Sequence, residues 1–204
     1  MPVMHKRQHG THKTMLDDDT IVYRVNSQDE ITYVNEAWLQ FAARNHGLHL
    51  LLDDVLQRPL WNFITDLTTR QFYRDALRKA RAGQSIRFHF RCDAPDLRRL
   101  LEMRIAMADE GNVEFCTRLV DAEQRPPVTL LSPLAPRTDD PLKICGWCKK
   151  VTLEDGIWVE VEEAVEQLRL FDAVVLPLLS HGICEPCYRD MCETLEEEDV
   201  DSET

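Results

Sequence analysis

Two Cys-x2-Cys pairs, Cys145-Gly-Trp-Cys148 and Cys184-Glu-Pro-Cys187, constrain the fold of this chain more than any other feature. In a cytoplasmic protein such pairs indicate a metal site rather than disulfides. A tight turn with this spacing lets both thiolates reach one ion at about 2.3 Å, and two turns complete a tetrahedron around Zn²⁺. The sequence therefore predicts that Cys145, Cys148, Cys184 and Cys187 bind one structural zinc ion.

Other uses of these cysteines stay open at this point. A redox switch would cycle them between dithiol and disulfide, because Cys-x2-Cys pairs can have lowered thiol pKa values. An iron–sulfur centre is a further possibility. His181 could replace one cysteine as ligand, although a hydrogen bond to a thiolate or a carbonyl suits its position better. Cys192 is predicted to be a spectator. Four cysteine ligands leave no open position for a substrate, so we do not expect a catalytic zinc ion.

The cysteine pairs mark out a small second unit. The 35 residues between Cys148 and Cys184 exceed the usual interval of a zinc ribbon and have room for a strand at 157–161 and a helix at 162–171. Another helix is predicted to begin near Pro186. The apolar stretch 168–179 is expected to pack on the first domain or on a partner.

Before residue 120, alternating apolar and polar residues indicate strands separated by helices. Two strands are predicted at 21–25 and 31–34, followed by helical turns, a long helix and three closing strands. Asn35 suits an N-cap, Thr68 with Gln71 forms a capping box ahead of the long helix, and Gly83 would end that helix. This order predicts an α+β fold with an antiparallel sheet.

Composition shifts along the chain predict five segments. Five of the ten prolines fall within 121–141, which is typical of an extended, semi-stiff linker. The predicted segments are a flexible leader at 1–19, a first domain at 20–120, this linker at 121–141, a four-cysteine zinc module at 142–192 and an acidic tail at 193–204.

The segments IVYRVNSQDEITYVNEAWLQFA, RPLWNFI and TTRQFYRDALRKARAGQ, together with the closing strands, resemble a PAS domain over residues 20–120. The step from Tyr33 to Trp38 (Tyr-Val-Asn-x-Ala-aromatic) is the most PAS-like piece. The resemblance implies a five-stranded antiparallel sheet with helices on one face, a homodimer in many cases, and often a small molecule between sheet and helices.

No residue set identifies such a PAS ligand. His46, His49 and His89 match haem ligands by residue type only. Aromatic residues suit a plain core as well as a cavity wall; they are Trp38, Phe41, Trp61, Phe63, Phe88 and Phe90.

The second unit also resembles a known element. ICGWCKKV, a Trp-Val-Glu-Val-Glu stretch and SHGICEPC are similar to a zinc-binding tail found behind PAS and receiver domains in bacterial signalling proteins. That tail usually reads Cys-Pro-Glu-Cys at its second pair, whereas Glu185 and Pro186 are inverted here. The inversion leaves both cysteines in place.

Charge is concentrated at one end of the chain. Residues 1–140 hold 19 Lys/Arg against 20 Asp/Glu, whereas residues 141–204 hold 5 against 16, a net charge of −11. Such a surface repels phosphate backbones and anionic lipid, so neither nucleic acid nor membrane is an expected partner. A partner protein with a basic surface is the expected complement.

Several classes of activity have no support in the sequence. The seven glycines are too scattered for a phosphate-binding loop, and no catalytic constellation is recognisable, so we do not expect an enzyme. The chain has no apolar signal-peptide core and no apolar run of about 20 residues, which predicts a cytoplasmic protein. We therefore expect a non-enzymatic sensory or adaptor protein that acts by protein–protein interaction, with a redox-sensing regulator as the alternative.

Overall fold

The computed structural model of the protein describes residues 20–45, 52–171 and 173–196. The predicted leader 1–19, His46, His49 and the end of the acidic tail from residue 197 lie outside the described residues. None of the described helices is long and apolar enough to cross a membrane.

The first part of the chain forms the five-stranded antiparallel sheet that the sequence predicts. Its strands are β1 (Ile21–Val25), β2 (Ile31–Val34), β3 (Ile86–Arg91), β4 (Leu97–Met107) and β5 (Val113–Gln124), in the order β2-β1-β5-β4-β3. The ladder between β4 and β5 extends from the Leu97–Gln124 pair to the Met107–Val113 pair, with an irregularity after Leu100. Both strands are longer than predicted because pairing continues past this irregularity.

The helices of this part lie in the chain between β2 and β3. They are α1 (Glu36–Arg44), α2 (Leu52–Val55) and α3 (Leu67–Arg81), with a 3-10 turn at Leu60–Asn62. One face of α3 is buried against the sheet through Phe72, Ala76, Leu77 and Ala80. Apolar burial of this kind, at about 25 cal/mol per Å², is the main force that holds helix and sheet together.

Two of the three predicted helix ends are confirmed. Asn35 caps α1, because its side chain accepts a hydrogen bond from the Trp38 amide at 3.0 Å. Gly83 follows α3 with a φ of 92°, a left-handed conformation that glycine adopts without strain. The capping box at Thr68 is wrong. Asp66 is the N-cap instead, and its carboxylate accepts from the Thr69 amide at 2.7 Å.

The second part of the chain forms a separate four-stranded sheet. Its strands are β6 (Arg137–Cys145), β7 (Val151–Thr152), β8 (Trp158–Val159) and β9 (Leu176–Gly182), in the order β8-β7-β6-β9. Only β6 and β9 are parallel. Two helices accompany it, α4 (Val161–Gln167) and α5 (Glu185–Glu196).

The predicted elements of this part are correct in kind but not in length. The strand expected at 157–161 is only β8, because buried Val161 already begins α4. The helix expected at 162–171 ends at Gln167. The apolar stretch 168–179 supplies the first half of β9, whose pairing with β6 the sequence did not predict.

Residues 121–141 differ from the extended linker that their prolines predict. The strand β5 continues to Gln124, and Val128 and Leu130 are 7% and 1% exposed in a second hydrophobic cluster with Ile144. The Arg137 guanidinium donates to the Leu130 carbonyl at 2.8 Å. The segment is packed because it carries apolar side chains between its prolines. The domain boundaries themselves stay a prediction.

Candidate metal centre

Strand pairing brings the two cysteine loops to the same end of the second sheet. Cys145 is the last residue of β6 and lies opposite Gly182, the last residue of β9. Cys148 follows in the turn after β6. Cys184 directly precedes α5, and Cys187 lies in its first turn. Because β6 and β9 are parallel, both loops leave the sheet in the same direction.

The four sulfur atoms form a compact cluster. All four Sγ atoms lie within 4.8 Å of one another, and the distance between the Cys148 and Cys184 sulfurs is 3.7 Å. Zn–S bonds of about 2.3 Å in a tetrahedron place neighbouring sulfurs about 3.8 Å apart. A disulfide would need about 2.0 Å. The spacing therefore suits a single ion equidistant from four thiolates.

Backbone hydrogen bonds hold the two loops in this arrangement. The Cys145 amide donates to the Lys150 carbonyl at 2.7 Å, which closes the first turn. Lys149 has a φ of 62°, so the turn uses a left-handed residue that is not glycine. The Gly146 amide donates to the Gly182 carbonyl at 2.8 Å and ties the first loop to β9.

The thiol groups influence one another's ionisation. Hydrogen bonds from Cys148 and Cys187 hold the pKa of Cys145 well below its usual range. The hydrogen bond with Cys145 raises the pKa of Cys148 to about 12, and hydrogen bonds with Cys145 and Cys148 raise that of Cys187. Cys145, Cys148 and Cys187 thus resist joint ionisation, whereas a divalent cation within the cluster would stabilise thiolates there.

The structure brings together the four predicted ligand residues and no other ligand-type residue among those it describes. His181 lies on β9 outside the cluster, and partial burial together with the charge of Lys149 lowers its pKa. Cys192 lies farther along α5 and is also outside the cluster. Occupation by a metal ion stays a prediction.

Trp147, between the first two cysteines, joins the cluster to the core of the first sheet. Its ring is 9% exposed, stacks on Phe88 at 5.1 Å and meets Phe72 edge-on at 5.3 Å. The Arg91 amide donates to the Trp147 carbonyl at 2.7 Å. Sequence reasoning missed this contact. An aromatic residue inside a tight, polar metal-binding turn is the signal that could have revealed it.

Buried ion pairs reinforce the same junction. Asp93 has a side chain with no exposed surface and pairs with Arg91 at 2.5 Å and with Arg125 at 3.2 Å. Arg91 also pairs with Glu160 at 2.6 Å, and Arg125 pairs with Glu162 at 2.8 Å. The two glutamates belong to the second unit, so the arginines connect it to the first.

The other candidate residues of the first domain lie in different places. Trp38 and Phe63 line a cavity of about 420 Å³ between sheet and helices, while Phe88 is core. His89 lies on the sheet 3.4 Å from Glu102, has a side chain that is 52% exposed and does not line that cavity. A haem ligand at His89 in this cavity is therefore not supported.

No protein-family model matches the chain, and a search of curated proteins finds no match to it.

Proposed function

We propose that Cys145, Cys148, Cys184 and Cys187 hold one structural zinc ion. The support is the mutual approach of four sulfurs within 4.8 Å, with the Cys148–Cys184 pair at 3.7 Å, close to the edge length of a zinc tetrathiolate. Thiolates favour zinc over magnesium or calcium, which prefer oxygen. The short spacing suits one ion better than a multi-iron cluster, which spreads its thiolates over several metal atoms.

We further propose a non-enzymatic, PAS-like signalling or adaptor protein of the cytoplasm. The observation that carries this proposal is the insertion of Trp147, from the metal-binding turn, into the core between α3 and β3. A change in packing under the first sheet reaches the metal-bearing unit through this ring. Sheet, cavity and coupled second unit together suit a protein that senses a ligand or partner and presents an altered surface.

The acidic second unit is the proposed contact for a partner. Residues 141–204 carry a net charge of −11, and a zinc tetrathiolate adds about −2. A basic surface on the partner protein would complement this charge, and a homodimer through the first domain would present two copies of it. Exposed apolar side chains at Val174 and Leu178 are the competing contact, at 84% and 48% exposure.

Metal analysis with cysteine variants tests the zinc proposal. Protein purified without chelator should carry one zinc ion per chain, and Cys145→Ser or Cys184→Ser should lose it. Cys92→Ser and Cys192→Ser are matched controls, because both cysteines lie outside the cluster and should leave zinc content unchanged. Iron in place of zinc, or zinc retained in both ligand variants, would reject the proposal. Quantitative disulfide formation in air without metal would favour the redox regulator.

Pull-down from lysate at increasing ionic strength tests the partner proposal. Association through the acidic surface should weaken as salt shortens the Debye length to about 8 Å and below, whereas apolar contact should not. The tail should be removed from residue 197 onward, because α5 extends to Glu196 and Leu195 packs against the core. Salt-independent capture that Leu178→Ser abolishes would assign the contact to the apolar segment. Turnover of a small substrate, lost on changing one polar residue, would overturn the non-enzymatic assignment.

A further inference from the structure

A second cleft adjoins the cavity under the first sheet, with Phe63 and Tyr73 in the lining of both, and opens where the two units meet. Its volume is about 340 Å³, within the range of about 300–1,000 Å³ typical of small-molecule sites. The loop 63–66 ahead of α3 forms one wall. The second unit contributes Trp147 and Lys149 from the first cysteine loop and His181 from the end of β9. A ligand here would touch both units at once.

The aromatic lining of the cleft suits a flat, apolar group. Phe63, Tyr73, Phe90 and Trp147 all face it. Trp147 and Phe90 have their ring centres 6.4 Å apart, and Tyr73 is also 6.4 Å from Trp147, at angles of 53° and 50°. Aromatic rings favour offset or edge-on neighbours at such distances, so these rings contact one another and a ligand ring would pack beside them as a further member of the group.

The polar lining includes the ammonium group of Lys149. Lys149 Nζ donates to the Gly146 carbonyl at 2.7 Å, and none of the described carboxylates pairs with it. An ammonium has three N–H donors, so two remain for a ligand. Arg91, also in the lining, is neutralised by Asp93 and Glu160.

Other polar groups in the cleft sharpen the choice of ligand. Asp66 is engaged as the N-cap of α3 through the Thr69 amide and hydroxyl, at 2.7 and 2.9 Å. His181 lines the cleft without a hydrogen-bond partner among the described residues, and its ring N–H is a further donor. These two donor groups, Lys149 and His181, beside an aromatic lining match a carboxylate attached to a ring.

We propose that this cleft binds a small aromatic carboxylate, with the ring among Phe63, Tyr73 and Trp147 and the carboxylate at Lys149 and His181. This inference deepens the proposed sensory function and rests on it, because the proposed ion would hold the first cysteine loop, with Trp147 and Lys149, beside the end of β9, with His181. Because the nearby thiolates also attract Lys149, replacing this residue can change metal binding as well as ligand binding. The experiment therefore measures the two separately.

Benzoate is the probe, and the full-length zinc-loaded protein is titrated by NMR with the Trp147 indole and Lys149 amide as reporters. Saturable shifts at millimolar benzoate or below are expected, with benzamide at least tenfold weaker. Lys149→Met should weaken benzoate about 10- to 100-fold, the range for a charged hydrogen bond. Lys150→Met, the same change one residue along and outside the cleft, should leave affinity within twofold.

Zinc content is measured in every sample. If Lys149→Met loses zinc, His181→Ala tests benzoate binding instead, because this variant leaves all four cysteines and their turns intact. His181→Ala is expected to lower the affinity for benzoate about tenfold. The ligand-binding proposal alone is rejected if the zinc-loaded wild type shows no benzoate-dependent shifts. It is also rejected if wild type, Lys149→Met and His181→Ala bind benzoate with equal affinity. Absence of zinc in the wild type overturns the metal centre instead.

Discussion

Replacing Trp147 by alanine measures how strongly the cysteine-bearing unit is held on the first sheet. The ring is 9% exposed and contacts Phe72 and Phe88 at 5.3 and 5.1 Å. Truncation of a buried tryptophan to alanine costs about 3–5 kcal/mol, because apolar contacts are lost and a cavity remains. Trp147 has four aromatic neighbours, of which Phe72 and Phe88 are the nearest, and we expect a loss in the middle of this range, at about 4 kcal/mol. That is a large share of the roughly 5–15 kcal/mol that stabilises a typical domain.

Urea unfolding followed by far-UV circular dichroism measures the loss, with zinc release recorded in parallel by a chromogenic chelator. The midpoint should fall while the denaturant slope stays unchanged. Trp147→Phe, which keeps a ring against Phe88, should lose clearly less stability. Phe171→Ala is the matched control, because Phe171 is 68% exposed and its loss should cost no more than about 0.5 kcal/mol. A cost for Trp147→Ala below about 1 kcal/mol would refute the packing argument.

Three further predictions concern the same junction and the sheet. Asp93→Asn should lower the free energy of unfolding by about 3 kcal/mol in a urea titration, because it leaves two buried guanidiniums without their shared carboxylate. The hydrogen bond from Arg118 lowers the pKa of Glu102. The ionised Glu102 side chain therefore contributes its full stabilisation above the unfolded pKa of about 4.3, and this contribution is lost as pH falls through the lower folded pKa. Glu102→Gln should remove that part of the pH dependence of the urea midpoint. Removal of the proposed ion by a chelator should speed hydrogen exchange at the Arg91 amide, which donates to the Trp147 carbonyl in the first cysteine loop, while the amides between β1 and β2 stay protected; equal acceleration at both sites would contradict this.

Local patterns were sufficient to predict the first sheet and the cysteine cluster. Strand β3 alternates between a buried and an exposed face over its first four residues, and this period of two is visible in the sequence without any tertiary information. The cysteine spacing has equally local physics, since two residues between ligands fix a tight turn. Asn35 was predictable as a cap because its side chain bonds only three residues ahead.

Contacts between distant segments were not predictable in this way. The strand β9 carries Pro177 and a continuous apolar run, so it has neither the alternation nor the composition of a regular strand. Pro177 is tolerated because β9 lies at an edge of the sheet. Pro141 interrupts β6 at a register shift between Arg137 and Pro141, where a missing backbone donor costs least. Two good capping residues also compete near α3, and only the structure shows that Asp66 prevails over Thr68.

The position of the cysteine cluster has a consequence for how the two units depend on each other. The predicted module 142–192 spans 51 residues, a size at which a hydrophobic core is marginal without a metal or another staple. Its own cluster around Ile144 and Val161 lies away from the metal site, whereas Cys145, Cys184 and Cys187 belong to the cluster that contains Phe72. The proposed ion would thus hold together loops whose buried side faces the first sheet. Metal binding and docking would then stabilise the same contacts. A ligand that alters this packing would change the affinity for the ion, and the ion would change the affinity for that ligand by the same free energy.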